Sequence, residues 1–446
     1  MSGAKNIIQA DNMDVLLVQP AILFPMVDST ESQKAIPPMS LLFLAEPLHK
    51  IGFTVHILDR AVTPIDRPAF EGFIKEKGPA VVGITSFTET YYRALEAAAY
   101  VKRVDPGIKV VLGGAHVTFT AVETLQNPNV DVVVRGNGDL NFPQLVEHFV
   151  KGRYSLAEIP GISFRRAGSI VENPIEIIED IDALSFPRRD LLDLSLYPGI
   201  ASISTSRGCP AKCRFCCAGA LSGGKYRMRS VSSIKSEIDY LVTEMGFEYL
   251  NFLDDTLTAA PARLKAICCY MIEKKYPVHW FCESRADTLD KELLELMKEA
   301  GCDAIQLGLE SGSQEIMTAI GKKVSPQRVE EAVYACLDAG LRTMGNFIVG
   351  FPEDTPKTIQ ETINLAKRLS RAGAIVGFGG FTPLPGTYYY EHAAELGLNI
   401  RATDWREFKI GVPIADTPHF SCEQLREIIF DTVTEAKFYH WISSIF

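Results

Sequence analysis

Four of the ten cysteines fall between residues 209 and 217, and three of them, Cys209, Cys213 and Cys216, are spaced C-x-x-x-C-x-x-C. Thiolates at that spacing can wrap three irons of a 4Fe–4S cube on one loop, because cysteine sulfur is the usual ligand of such clusters. The fourth iron then lacks a protein ligand and can chelate the amino and carboxylate groups of a methionine. The competing reading is a zinc knuckle. Four-thiolate zinc sites bring two separated pairs, and no second C-x-x-C exists here. Cys217, next to Cys216, is expected to point away and pack. The remaining six cysteines lie on apolar patterns, where a free thiol behaves as a small buried hydrophobe.

Other chemistry-bearing residues recur after short apolar runs. They are Asp254-Asp255, Glu283 with Arg285, Glu310, and Glu353 within Asn346-Phe347-Ile348-Val349-Gly350-Phe351-Pro352-Glu353. Each acid alone reads as a helix cap or a solvated loop charge. Nearer the N-terminus, Ser86, the pair Gly113-Gly114, His116, and Gly136 and Gly138 also follow apolar runs. Glycine after a parallel strand lets a backbone come close to a ligand. His116 alone reads as an ordinary capping or surface histidine.

Two sets of alternating strands and helices must position these groups. The first spans residues 13–151, with strands expected at Val15–Val18, Thr54–Leu58, Val81–Thr85, Val110–Leu112 and Asp131–Val134. A helix at Tyr91–Val104 would bury Ala94, Leu95, Ala98 and Val101. Short buried strands alternating with helices predict a doubly wound, flavodoxin- or Rossmann-like parallel sheet, with ligands at the carboxyl ends of its strands. Residues 152–198 read as a linker carrying a hairpin about Ala167-Gly168.

The second set spans residues 199–385. Its strands are expected at Ala201–Thr205, Tyr249–Leu253, His279–Cys282, Ala304–Leu307, Thr343–Val349 and Ile375–Phe381. Helices are expected at Val231–Met245, Ala262–Lys274, Asp290–Ala300, Pro326–Ala339 and Thr355–Arg371. Six such units give a partial (βα)6 TIM-type barrel, its chemistry again at the carboxyl ends of the strands. Residues 386–446 read as a short, mostly helical extension, and the run Tyr388-Tyr389-Tyr390 as core.

Composition agrees with a globular α/β protein: 47% hydrophobic and 22% charged residues in 446. A net charge of −10 disfavours nucleic acid as a main partner. Residues 1–12 read as an extended N-terminus without an apolar core of signal-peptide length. No run of 18 apolar residues suggests a transmembrane segment. Many cysteines without an export signal point to a reducing, cytoplasmic setting.

The cysteine block resembles the radical S-adenosylmethionine superfamily. The resemblance implies that Cys209, Cys213 and Cys216 ligate a 4Fe–4S cluster and that Phe215, in the same loop, contacts S-adenosylmethionine. It implies S-adenosylmethionine contacts at Asp254, Asp255, Arg285, Glu310, Ile348, Gly350 and Glu353. The last three belong to a segment similar to the superfamily's adenine-supporting G-x-I-x-G-x-x-E, with Asn346 replacing the first glycine. Residues 81–86, 112–116 and 133–138 resemble the cobalamin-binding domain that precedes many such barrels. That implies cobalamin contacts at Ser86, Gly113, Gly114, His116, Gly136 and Gly138, with Asn137 where an acid is usual. The first loop, Gln19-Pro20-Ala21-Ile22-Leu23-Phe24, lacks the histidine of methionine-synthase-type domains, so cobalamin is expected base-off.

The activity so implied needs an external electron donor of flavodoxin or ferredoxin type. Reductive cleavage of S-adenosylmethionine would give a 5′-deoxyadenosyl radical that takes hydrogen from a small-molecule or lipid-like substrate. Methylcobalamin would then deliver a methyl group to carbon. A ring-forming or rearranging enzyme on the same scaffold is the alternative, and a non-catalytic corrinoid or iron–sulfur sensor or carrier is a further one. A methylthiotransferase would bring three more cysteines in its front domain, where residues 1–200 here have none.

Overall fold

The computed structural model describes residues 13–21 and 36–440. The expected extended N-terminus, and Ile22, Leu23 and Phe24 of the first loop, lie outside them. The chain divides into two compact units. One runs to Ile178 and includes Leu184–Tyr197; the other holds Glu179–Ala183 and everything from Pro198.

In the first unit, strands β1 (Val15–Gln19), β2 (Val55–Asp59), β3 (Val81–Thr85), β4 (Lys109–Gly113) and β5 (Val132–Val134) are parallel. Every residue of β1 and β3 is buried, as continuous apolar strands covered on both faces by helices must be. The helix Tyr91–Val104 buries Ala94, Ala97, Ala98 and Val101; the small Ala97 takes the place expected of Leu95.

The hairpin of β6 (Ile162–Arg166) and β7 (Ser169–Glu172) is not linker structure. β6 pairs antiparallel with β5, Val132 opposite Phe164, and makes the sheet seven-stranded in the order β2-β1-β3-β4-β5-β6-β7. Ile162 and Phe164 are buried by that pairing, which a free connecting hairpin could not achieve.

The second unit begins with β8 (Ile200–Ile203), then a small hairpin, β9 (Ser206–Arg207) and β10 (Arg227–Met228). There follow β11 (Tyr249–Phe252), β12 (His279–Ser284), β13 (Cys302–Glu310), β14 (Arg342–Val349) and β15 (Ile375–Gly380). The six strands β8 and β11–β15 are parallel, each next to its predecessor in the chain. Right-handed strand–helix–strand steps in one direction curl such a sheet into a partial barrel. The helix expected through Met245 stays α-helical to Asp239 and continues as a π-turn over Tyr240–Glu244.

The C-terminal extension is only partly helical. It has a short helix at Tyr388–Glu391, a two-residue hairpin of β16 (Asn399–Ile400) with β17 (Ala415–Asp416), and a helix at Cys422–Ala436. A final strand, β18 (Tyr439–His440), lies parallel to β15 and gives the barrel sheet a seventh strand. The Cys422–Ala436 helix buries Cys422, Leu425 and Ile429, and glycines make room for it. A Cβ on Gly350 would lie 2.9 Å from Leu425, and one on Gly380 3.0 Å from Ile429. An apolar face of that kind completes the barrel wall.

Candidate cluster and cofactor sites

The cysteine loop leaves β8 and is pinned at its start. Asp254, at the end of β11, accepts hydrogen bonds from Thr205 N (3.1 Å), Thr205 Oγ1 (2.7 Å) and Ser206 Oγ, with Arg263 at 3.8 Å. Burial raises its carboxyl pKa, and these bonds offset only part of that rise. Asp254 therefore braces the loop; expected as a cofactor contact, it is buried with its oxygens already engaged. Gly208 has φ +83°, and a Cβ there would sit 2.3 Å from the Lys225 carbonyl, so only glycine fits. Within the loop Cys216 N donates to Cys213 O at 3.2 Å, and Arg214 N to Ile320 O at 2.9 Å.

Each of the three sulfurs has a polar neighbour. Cys209 Sγ lies 3.3 Å from Thr256 Oγ1, Cys213 Sγ 3.6 Å from Arg285 Nη1, and Cys216 Sγ accepts from Ala218 N at 3.4 Å. Burial pushes the Cys213 thiol pKa up, offset in part by Lys322. Cys216 keeps an exposed edge, yet the protein packed around its sulfur pushes its thiol up to about 12. A cysteine ligates a metal only as the thiolate, so any metal held by these two would displace their protons. Among the described residues no three His, Cys, Asp or Glu side chains converge as ligands of a single metal ion.

Two exposed carboxylates, Asp255 and Glu283, stand at the ends of β11 and β12. Both reach solvent, yet the protein packed around them raises each carboxyl, with Asp254 adding to the rise at Asp255 and Asp255 to that at Glu283. Such a pair is relieved by a cation. Of its segment, the family resemblance assigns a contact to Arg285 and none to Glu283. Its signal is the alternation of β12, where Trp280, Cys282 and Ser284 are buried and Glu283 faces the other way.

Arg285 and Glu310 are each engaged by a protein partner. Arg285 is forked onto Asp287 and reaches Cys213. Glu310, at φ +60° beyond a bulge in β13, pairs with Lys322 at 2.6 Å, both side chains buried. Gly308 leaves space for that pair, since a Cβ there would lie 2.4 Å from Glu310 Oε1.

At the end of β14, Gly350 has φ +92°, and its N–H and that of Phe351 donate to Asp354 Oδ2 at 2.8 and 3.0 Å. Asp354, not Glu353, shapes this turn. Glu353 accepts the Tyr389 hydroxyl at 3.0 Å. Tyr389 is fully buried against Phe351 and Phe381, and Phe215 of the cysteine loop meets Phe351 with ring centroids 5.7 Å apart. Ile348 is buried opposite Gly379. The tyrosine run is not uniformly core: Tyr388 is exposed beneath Arg214.

Burial raises the Asp354 carboxyl from its ordinary 3.8 to about 6. An acid with a raised native pKa binds its proton more tightly folded than unfolded, so its contribution to stability falls as pH climbs from about 4 to about 6. The full drop is about 3 kcal/mol. Asp354→Asn is expected to remove that slope, read as urea midpoints of variant and parent at pH 4.5 and 7.

In the first unit the strand order 2-1-3-4-5 is flavodoxin-like, with its topological switch between β1 and β3. Of the residues expected at its ligand edge, the glycines hold strand ends together. Gly114, at φ +109°, would put a Cβ 2.5 Å from the Ser86 carbonyl; Ser86 N donates to Gly113 O at 2.7 Å. Gly136 N donates to Thr118 Oγ1 (3.0 Å), and a Cβ on Gly138 would meet Leu44 at 3.1 Å. Ser86 itself is fully buried.

His116 is neither a surface nor a capping residue. It is buried against the Tyr91 ring, its Nδ1 3.1 Å from Thr88 Oγ1, and burial lowers its pKa to about 4. The large exposed apolar residues after β3 and β5 are Phe87 and Leu140, which sequence reasoning did not single out. Gly114→Ala is expected to destabilise this unit by at least about 1–3 kcal/mol, from positive φ and the backbone clash together. A denaturant titration against the parent chain measures it.

Residues 203–366 match the Radical SAM superfamily, and residues 27–146 the B12 binding domain. The chain is 33% identical over 402 residues to the uncharacterized methyltransferase PH0819 of Pyrococcus horikoshii, covering 88% of this chain and 86% of that one. It belongs to the cobalamin-dependent radical S-adenosylmethionine enzymes. It is also 28% identical to the anaerobic magnesium-protoporphyrin IX monomethyl ester cyclase of Rubrivivax gelatinosus, over 85% of this chain and 69% of the cyclase. Among solved structures, the radical S-adenosylmethionine methyltransferase TsrM of Kitasatospora setae, with cobalamin and a [4Fe-4S] cluster bound, superposes with a TM-score of 0.75. That match has 22% identity and covers 88% of this chain and 79% of TsrM.

The residues of this radical S-adenosylmethionine enzyme fit the cofactors of its family. Three sulfurs on one braced loop, each with a polar neighbour, suit a three-thiolate cluster. The Asp255–Glu283 lip suits a methionine ammonium. The switch between β1 and β3 suits cobalamin, and Phe87 offers an apolar surface beside it.

Proposed function

We propose that this enzyme transfers a methyl group to an unactivated carbon of a small-molecule or lipid-like substrate. The observation that carries the reading is a cysteine loop fixed to the end of the first barrel strand, in a chain that also has a B12-binding unit. When bound, the reduced cluster with S-adenosylmethionine supplies a 5′-deoxyadenosyl radical, and methylcobalamin supplies the methyl group.

The chain's own residues bind and orient. Cys209, Cys213 and Cys216 hold the cluster, and Asp254 with Thr205 and Ser206 fixes their loop. Asp255 and Glu283 take the methionine ammonium. Gly350 and Ile348 form the adenine wall, backed by the buried Phe351 and stiffened by Asp354 and the Glu353–Tyr389 bond. In the first unit the ends of β1 and β3, with the Phe87 ring close by, would hold cobalamin, in the base-off form that a first loop without the usual histidine implies. The holding of reactants in register is what proteins contribute to such chemistry.

The electron donor is a small flavodoxin or ferredoxin-type protein, and nucleic acid is not a partner. No helix among the described residues is long and apolar enough to cross a membrane, and a cytoplasmic enzyme fits the reducing conditions a cluster needs. The cyclase relative favours one second reading, ring formation without methyl gain. Product mass separates the two after anaerobic turnover with candidate substrates. One added methylene together with 5′-deoxyadenosine supports methylation. 5′-Deoxyadenosine with no added methylene overturns it in favour of cyclisation or rearrangement.

A further inference from the structure

Arg285 sits at the end of β12, where family resemblance places a contact to S-adenosylmethionine. Its donors point elsewhere. Nε and Nη2 form a two-pronged bond to Asp287 at 3.0 and 2.9 Å, and Nη2 also donates to the Lys322 carbonyl at 2.9 Å. Nη1 faces Cys213 Sγ at 3.6 Å. A guanidinium has five N–H groups in a fixed plane, so at least four are committed, and the fork cannot turn without breaking the Asp287 pair. The Arg285 side chain is buried and Asp287 is exposed, so solvent screens the Asp287 end of the pair more than the end that faces Cys213.

The geometry points to Arg285 as a positioning residue that tunes the iron–sulfur cluster through Cys213, with Asp287 holding it in aim, rather than as a ligand of S-adenosylmethionine. This deepens the cluster reading and rests on it. The physical basis is charge. Reducing the cluster adds one negative charge spread over iron and sulfur, and a donor aimed at a ligating sulfur stabilises the more negative state. Arg285 presents the positive end of an Arg–Asp dipole to that sulfur. Lys322, on the same side of the loop, is paired with Glu310, so Cys213 faces two cations each partly offset by its own carboxylate. Arginine suits the task better than lysine because its planar fork is aligned by one carboxylate while a third nitrogen stays free to donate.

The two halves of the pair carry opposite signs, and that makes the test sharp. The full chain is reconstituted without oxygen, iron and sulfide are counted, and the cluster is titrated with mediators under electron paramagnetic resonance. Equilibrium binding of S-adenosylmethionine is measured on the same samples. For Arg285→Gln the ratio of reduced to oxidised cluster at a fixed solution potential is expected to fall about tenfold, equivalent to 59 mV for one electron. S-adenosylmethionine affinity is expected to stay within about twofold of the parent. Asp287→Asn, which removes the offsetting charge, is expected to move the ratio the other way. Arg285→Lys is expected to fall between parent and Arg285→Gln.

An unchanged potential in Arg285→Gln, with S-adenosylmethionine affinity lowered about tenfold or more, would overturn the assignment and restore the cofactor-contact role. Should Arg285→Gln lose its cluster, Asp287→Asn still decides: a ratio unmoved or lowered counts against the proposal. A parent chain that takes up no cluster would instead sink the functional reading itself, an outcome distinct from any of these.

Discussion

Cys213→Ala, purified and reconstituted without oxygen, is expected to hold almost no 4Fe–4S cluster and to lose turnover entirely, while Cys217→Ala keeps both. Two thiolates on a loop cannot retain a cube whose fourth iron is already left for substrate. The loss in rate is the whole factor that the cofactor provides, at least about 10⁶. The contrast with Cys217 gives the experiment its force. Both residues lie in one exposed-edge loop, and both thiols are raised by burial, so reactivity or packing alone would not separate them. Iron and sulfide counts, with the absorbance of the cluster, read the outcome directly. Equal loss in both variants would mean that the loop has merely been unfolded, and equal retention would remove Cys213 from the ligand set.

Lys322→Met is the second large effect, and it acts on stability. Lys322 and Glu310 are a buried ion pair with side chains 6% exposed each. Removing one partner strands the other charge out of water, which costs about 3–5 kcal/mol. The double variant Lys322→Met with Glu310→Gln removes both charges, and it is expected to recover a large share of that loss. The two sites share one contact and their effects should not add. Urea unfolding of the parent, both single variants and the double variant closes the cycle. Lys322→Met with an unchanged midpoint would show that the pair is not buried in solution.

Much of the barrel was legible because its signals are local. Pro326 follows Ser325, and the helix begins there with the Ser325 hydroxyl accepting from Arg328 N; a serine cap before a helical proline says so in sequence. Thr355 and Pro356 announce the next helix in the same way. The turn at Ala167-Gly168 was readable from its residues, and both have positive φ. The pairing of β6 with β5 was not, because it is set by a contact some thirty residues away in the chain. The C-terminal extension failed for a related reason: a two-residue strand carries no period, and β18 exists only because β15 lies beside it.

The site divides along the same line. Three cysteines in one loop need no tertiary knowledge. Adjacent acids do. Asp254 and Asp255 are equivalent on paper, yet one turns under the loop to meet Thr205 and the other faces outward. Glu353 and Asp354 differ likewise, because the positive φ of Gly350 aims two amides at Asp354. In the first unit the glycines at 113, 114, 136 and 138 marked the correct strand ends. Their immediate neighbours, however, are protein backbone and side chains, a distinction that only packing reveals.

The central claim is that the loop from Cys209 to Cys216 leaves one iron open for S-adenosylmethionine. Its most direct test is to reduce the reconstituted enzyme without oxygen, add S-adenosylmethionine, and follow both the electron paramagnetic resonance signal and 5′-deoxyadenosine. The account predicts that the cofactor changes the signal of the reduced cluster and that 5′-deoxyadenosine accumulates. A tetrahedral zinc in the loop, or a reduced cluster whose signal ignores S-adenosylmethionine and yields no 5′-deoxyadenosine, would contradict it.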